Sequence, residues 1–478
     1  MFVIIFGILE EMMSTNKDVK ALRSVELMPT LENERTMSLP DYFILWAGMT
    51  INVVAFSLGA QYYNGGQGLG AVTLIFVILA GYGLVTALTV LFGDIGTKYG
   101  VPFAVYVRAP FGYKGAIIPG VFRAIPALYW FGFQTWVGAS ALNYIMENLT
   151  GYNNLTLMII AFAVFQVVNA MYGLKAMAKF DWIAIPALAI LFVAIAVAIG
   201  KKYNVTIPDI MATPGDGNMS IVYAISGIAG GWITMSLNGS DLARQIKHVP
   251  NYENKGFIAR NKSALVGQFF GLMVIGVVCM LIGMAAGITT GEWDLNAICS
   301  TIFTSKIGLI LAYIAVVFAQ WSTNTAGNLM PPSYILISLF PKLKFKISAI
   351  ICGALAIIIQ PWKIQSSGTF LVDVQVHIST LLGPVMGIML ADYFIVRKTK
   401  VNVQDLYSYG QYEYTNGFNL SAIIAIIAGF GISFVSSTYG FFIGLIAAPL
   451  VYVILMRCFT LRKYEQHIGQ SVKFDEAK

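Results

Sequence analysis

Stretches of about twenty mostly apolar residues recur along this whole chain, and each is as long as a helix needs to be to cross a bilayer's hydrocarbon core. Lipid offers no partner to a backbone N–H or C=O, so such segments cross as helices whose hydrogen bonds close internally. They fall at 41–63, 69–94, 119–146, 155–174, 181–200, 220–239, 263–289, 307–338, 347–361, 369–396, 418–436 and 439–457. The 478 residues are 57% hydrophobic and 11% charged, with a mean hydropathy of +0.73. A soluble domain carries about 25% charged residues. The expected class is an all-α integral membrane protein with twelve transmembrane helices.

Charge placement supports that count. With the amino terminus inside, every one of the 30 Lys and Arg falls on the inside except Lys201, Lys202, Lys306 and Lys363. A wrong helix count would scramble this asymmetry. Both termini are therefore expected in the cytoplasm of a cell-membrane protein, and the net charge of +7 is a by-product of topology. No basic arm or aromatic-basic module points to nucleic acid. Cys279, Cys299, Cys352 and Cys458 are scattered without metal or disulfide spacing. The opening "MFVIIFGIL" lacks a basic leader and a cleavage site, so it reads as an overlong start before Met12 or Met13 rather than a signal peptide.

Polar groups at membrane depth are costly and mark ion or substrate paths. The first segment carries Asn52 among glycines, the third carries Gln134 among aromatics, and the sixth carries Gly227, Gly230 and Gly231 just before Trp232. Segments one and six correspond if the chain is two five-helix halves plus two extra helices. Paired interruptions at matching places point to a transporter's central site. Five helices per half also force the halves into opposite orientations. The other reading is that these glycines permit close helix packing.

Trp130 and Gln134 stand at i and i+4 and share one helix face. An aromatic one turn from an amide suits a flat ring with alternating N–H and C=O groups, since Gln134, Asn52 and Asn328 each both donate and accept. Trp232 offers an opposing wall, whereas Trp136 reads as packing or belt. Arg123 is expected to snorkel to the cytoplasmic end of its helix, leaving no cation for an anionic substrate. In "AQWSTNTAGN", Ala319, Ser322 and Thr323 share an arc of roughly 100°. Their oxygens, with carbonyls freed where the first helix unwinds, form an uncharged hard-oxygen set suited to Na⁺. Back-bonding of the hydroxyls to the preceding turn is the competing reading. Asp373 and His377 in segment ten are also i and i+4, either a proton-coupling pair or partly hydrated groups near the helix's outer end.

"WFGFQTW", "GGW…SLNGSDLAR" and "AQWSTNTAGN", with "SLPDYFILWAG" and "LLGPVMGIMLADYFIVRK", make the chain resemble the nucleobase–cation symporter-1 family from about residue 38 to 457. The resemblance implies a LeuT-type 5+5 inverted repeat plus two helices. The corresponding organisation is a tail at 1–40, repeats at 41–200 and 220–396, helices eleven and twelve at 418–457, and a tail at 458–478. It also implies that Trp130 and Trp232 sandwich a substrate ring while Gln134, Asn328 and Asn52 bond its edge, with the Gly231 backbone close by. Na⁺ would be held by the Ser322 and Thr323 hydroxyls and the carbonyls of Ala319, Gly48 and Ile51. One departure is "SLNGSDLARQ", where many relatives have an Ile-Pro-Asp-Phe version.

The expected function is a symporter importing a nucleobase, hydantoin or allantoin with a cation, Na⁺ rather than a resident cofactor, as a monomer. A proton-coupled permease of the same fold, or an amino-acid or amine transporter of the wider LeuT class, is the alternative. No H-E-x-x-H or G-x-S-x-G supports an enzyme, and an internally repeated chain does not need a channel's shared pore.

Overall fold

Ser38 starts the first helix. Its hydroxyl accepts from the Asp41 N–H while the Asp41 carboxylate accepts from the Ser38 N–H at 2.8 Å, a capping box written in "SLPD". The computed structural model describes residues 27–171, 174–340, 343–364 and 368–474, without the side chains of 174–183, Ser322 and Leu339. The opening "MFVIIFGIL" lies outside the described residues.

Helix α1 (Leu39–Thr50) and α2 (Val53–Tyr63) form one segment bent by 54°. They are followed by α3 (Ala71–Tyr99), α4 (Ile117–Thr150), α5 (Leu155–Met171), α6 (Leu174–Tyr203), α7 (Ile221–Leu237) and the short α8 (Gly239–Ala243). The second half holds α9 (Lys262–Thr290), α10 (Lys306–Ser338), α11 (Phe345–Ile359), α12 (Phe370–Val396), α13 (Leu420–Ser433) and α14 (Gly440–Lys463). Each of the twelve expected apolar segments is helical. Among the described residues seven helices are long and apolar enough to cross a membrane, eight with the bent pair. The long α4 and the shorter α5, α7 and α13 occupy the other expected positions.

Two packed sets emerge. In one, α2 lies on α9, α1 also touches α9, and α3 lies on α7. In the other, α4 packs on α5, α10 and α11. Close approach in the first set depends on glycine. A Cβ on Gly59 would sit 1.9 Å from the Met280 carbonyl oxygen, and one on Gly283 would sit 1.8 Å from that of Phe56. Helix α12 lies against α7 on one side and α14 on the other.

Two fully buried carboxylates pin helix ends on the side of the chain termini. Asp94 accepts from Arg260 (2.6 and 2.8 Å), Asn261 Nδ2 (2.7 Å) and the Tyr393 hydroxyl (2.8 Å). Asp392 accepts from Arg397 Nε (2.6 Å) and the hydroxyls of Tyr106 (3.1 Å) and Tyr452 (2.6 Å). The expected leading tail is docked from residue 27. Arg35 donates to the carbonyls of Gly96, Thr97 and Ile246 at 3.0–3.1 Å, and Tyr407 donates to Leu27 O at 2.6 Å. Residues 27–38 thus form a strap across α3 and the loop after α8.

Candidate functional site

Asn52 breaks the first segment, as its position in an apolar run predicts. Its backbone is extended (φ −140°, ψ 159°), and its Oδ1 caps α2 by accepting from Ala55 N–H at 2.8 Å. Its Nδ2 donates to the carbonyls of Met49 (2.8 Å) and Thr50 (3.3 Å). The Asn52 N–H, which a continuing helix would give to Gly48, goes to Thr50 O at 2.9 Å. The Ala55 N–H, due to Ile51, is the one that Asn52 Oδ1 takes. Gly48 and Ile51 therefore lose their helical donors at the break, while the Asn52 amide itself is occupied in holding it.

The sixth segment behaves differently. Helix α7 runs unbroken through Gly227, Gly230, Gly231 and Trp232, and the interruption comes at Asn238. The glycines serve packing against α12: a Cβ on Gly230 would sit 1.8 Å from Gln375 O. At the true break, Asn238 Oδ1 accepts from Arg123 Nε at 2.6 Å, and its Nδ2 donates to Asp241, whose carboxylate also accepts from Phe103 N–H at 2.9 Å. Arg123 does not snorkel. It is 0% exposed, and its two terminal nitrogens have no partner among the described residues.

Between the two sets lies a cavity of about 690 Å³. All six residues expected around a substrate border it: Asn52, Trp130, Gln134, Gly231, Trp232 and Asn328. Trp136 does not; it packs against Phe133 at 5.5 Å, as a packing residue would. Gln134 makes no hydrogen bond with the described protein, so both ends of its amide are available. Trp232 is backed by Trp46 at 5.6 Å, and Trp130 by Tyr129 at 5.2 Å.

Asn328 is held by a chain of buried amides. Its Nδ2 donates to Asn324 Oδ1 at 2.9 Å. Asn324 Nδ2 donates to Phe131 O and Gln166 Oε1, each at 3.0 Å, and Gln166 Nε2 donates to Thr135 Oγ1 at 2.9 Å. With one of its two N–H groups taken by Asn324, the Asn328 amide is held in one orientation and its carbonyl oxygen is left free to accept. The helix is not regular here: Thr325–Leu329 is a π-helical turn. Pro331 and Pro332 lack the N–H groups that would bond the carbonyls of Gly327 and Asn328, a sequence signal for irregularity that helical spacing alone missed.

Thr323 borders the same cavity as Gly48, and its hydroxyl donates to Ala319 O at 2.7 Å. Back-bonding is thus present, yet it spends only the proton and leaves the hydroxyl's lone pairs. The Ser322 side chain lies outside the described residues. Asp373 and His377 do not pair through their side chains. The Asp373 carboxylate accepts from the Tyr223 hydroxyl at 2.8 Å, and His377 Nδ1 lies 2.6 Å from the Asp373 carbonyl.

The cavity reaches from Trp130, Gln134 and Asn328 to Met37 and the exposed Asp41, on the strap side. The opposite direction is closed by aromatics: Phe370 meets Trp293 at 5.0 Å and Phe133 at 5.9 Å, and Leu371 N–H donates to Gln61 Oε1 at 2.9 Å.

A family model described as permeases for cytosine/purines, uracil, thiamine and allantoin matches residues 29–455. The structure of Mhp1, a nucleobase-cation-symport-1 family transporter, closed with bromovinylhydantoin bound, is 30% identical, with a TM-score of 0.86 over 94% of this chain and 98% of that one. The chain belongs to the nucleobase–cation symport-1 family. As a symport-1 member it is a multi-pass membrane transporter, not an enzyme, with the LeuT-type architecture that Mhp1 has. The hydantoin permease of Microbacterium maritypicum is 31% identical, with 92% of this chain and 90% of that protein covered. The allantoin permease of Bacillus subtilis is 29% identical over 91% and 93%. A Na⁺-coupled sialic acid symporter at 14% identity shares the fold (TM-score 0.61, over 96% of this chain and 98% of that one).

Proposed function

We propose that this symport-1 protein imports a planar nitrogen heterocycle or ureide, a nucleobase, hydantoin or allantoin, together with Na⁺. The observation that carries the substrate class is the cavity itself: two indoles, an unpaired glutamine amide and an asparagine carbonyl converge on one space bordered by Gly231. Stacking on an aromatic face contributes about 1–3 kcal/mol per ring. Ligand edges with both N–H and C=O then pair with Gln134 and with Asn328 Oδ1. Asn52 contributes contact surface, its polar atoms being engaged at the break.

For the ion, the donors are neutral oxygens: Thr323 Oγ1, the Ala319 carbonyl, and the Gly48 and Ile51 carbonyls released at the break, with Ser322 the fifth by position on α10. Such a set suits a hard monovalent cation. Among the described residues no group of three His, Cys, Asp or Glu side chains offers a transition-metal alternative. Coupling requires each ligand to tighten the other's binding. Residues 41–200 and 220–396 act as the two repeats, and their relative rocking moves access from the face closed by Phe370 to the strap side. We place both termini in the cytoplasm of the cell membrane and take the monomer as the working unit.

The deciding experiment is a binding screen of purines, pyrimidines, hydantoins and allantoin on purified protein, with Na⁺ and with choline in its place. One ring class is expected to bind, more tightly in Na⁺. Sodium-independent uptake that collapses with a protonophore would overturn the ion assignment, and unchanged binding in Gln134→Ala and Asn328→Ala would overturn the pocket.

A further inference from the structure

Gln375, on α12, is a polar residue the sequence reading passed over. It is 1% exposed, yet it borders the cavity. Its Oε1 is buried without a hydrogen-bond partner, and its Nε2 lies against Gly231, 2.9 Å from where a Cβ would stand. A buried carbonyl left unpaired costs about 1–3 kcal/mol, so native structures rarely keep one without use. Its position also matters: Gly230 and Gly231 lack the side chains that would otherwise separate Gln375 from Trp232 and the ring site.

We propose that Gln375 is a specificity-determining ligand contact, a second free carboxamide that pairs with an N–H/C=O edge of the bound ring. The proposal rests on the heterocycle reading above and deepens it. Gln134 reaches the cavity from α4, Asn328 from α10, and Gln375 from α12, so a ligand meets amide groups on three helices. Asn324 orients the Asn328 amide by taking one of its two N–H groups, while Gln134 and Gln375 each offer both an N–H donor and a C=O acceptor. That set selects rings with N–H and C=O groups on two separate edges, the cyclic imides and ureides. Rings with a single such edge are disfavoured because Gln375 then stays unpaired.

The test is a binding comparison on full-length protein between Gln375→Leu and the parent, using one cyclic imide that binds the parent and its series of singly N-methylated derivatives. Gln375→Leu should weaken the unmethylated ring about tenfold. It should leave one methylated derivative, the one blocked on the edge that Gln375 reads, bound as the parent binds it. Equal weakening of every ring would indicate packing alone and overturn the proposal, as would unchanged binding throughout. Gln375→Glu, which keeps the shape and an acceptor, guards against misfolding and should shift preference among the derivatives rather than abolish binding. Gln134→Leu runs in parallel: if it too leaves binding unchanged, the ring site itself is wrong, whereas its loss beside an indifferent Gln375→Leu refutes only the role of Gln375.

Discussion

Asn324 never needs to touch a ligand to decide what Asn328 offers one. It accepts from Asn328 Nδ2 while its own nitrogen donates to Phe131 O and Gln166 Oε1, so the orientation of Asn328 is fixed from two other helices. Asn324→Leu should free the Asn328 amide to rotate and strand Gln166 in the core. We expect about a tenfold loss of affinity for a ring that donates to Asn328, measured by titration, with a smaller loss for rings lacking that donor. Equal losses for both ring types would mean that Asn324 acts on packing only. That Trp130 and Gln134 share a face was legible from their i, i+4 spacing, whereas Asn328, in the π-helical turn, was marked by its amide in an apolar run and not by spacing. The orienting partner was not legible, since Gln166 is 158 residues from Asn324 and no local pattern links them.

Breaks in helices were half legible. Asn52 in an apolar run announced its own cap, whereas the three glycines of the sixth segment signalled a break and turned out to be the contact with α12. Glycine satisfies either role, and the choice depends on what lies opposite. The true break at Asn238 sits in "SLNGSD", a run of turn and cap residues that named the place more directly. Asn238→Leu would leave the Arg123 guanidinium buried without its one hydrogen-bonded side chain. A loss of about 1.5–3 kcal/mol is expected, read as a fall in melting temperature in detergent. An unchanged melt would show that Arg123 finds other partners. The strap carries a pH prediction. Burial holds the His248 imidazole below its ordinary value, beside Thr97 O and Glu32. His248, in the loop after α8, therefore binds a proton more readily with the strap undocked than with it docked. Docking of the strap is at full strength above a pH of about 6.5 and weakens as pH falls below that. Protection of the Thr36 and Met37 amides, which bond Gln245 O, should fall at acid pH, read as the ratio of intrinsic to observed hydrogen-exchange rate at each pH.

At the scale of the molecule, the cavity between the two helix sets runs from the ring site toward the strap. Once exposed Cys458 is replaced by Ser, a cysteine at Met49 should react with a membrane-impermeant thiol reagent from the strap side, and one at Phe370 should react poorly from either side. Strong labelling of Phe370→Cys would mean that the aromatic closure opens readily. A space of about 690 Å³ is also far larger than a single flat ring. At about 30 Å³ per water, it holds on the order of 20 solvent molecules. Most of that water must leave whenever the path closes, and it must return before a ring can be released. Solutes too large to enter should therefore pull the transporter toward its closed state, so that transport slows with osmotic pressure, and a small permeant solute at the same osmolality should have no such effect.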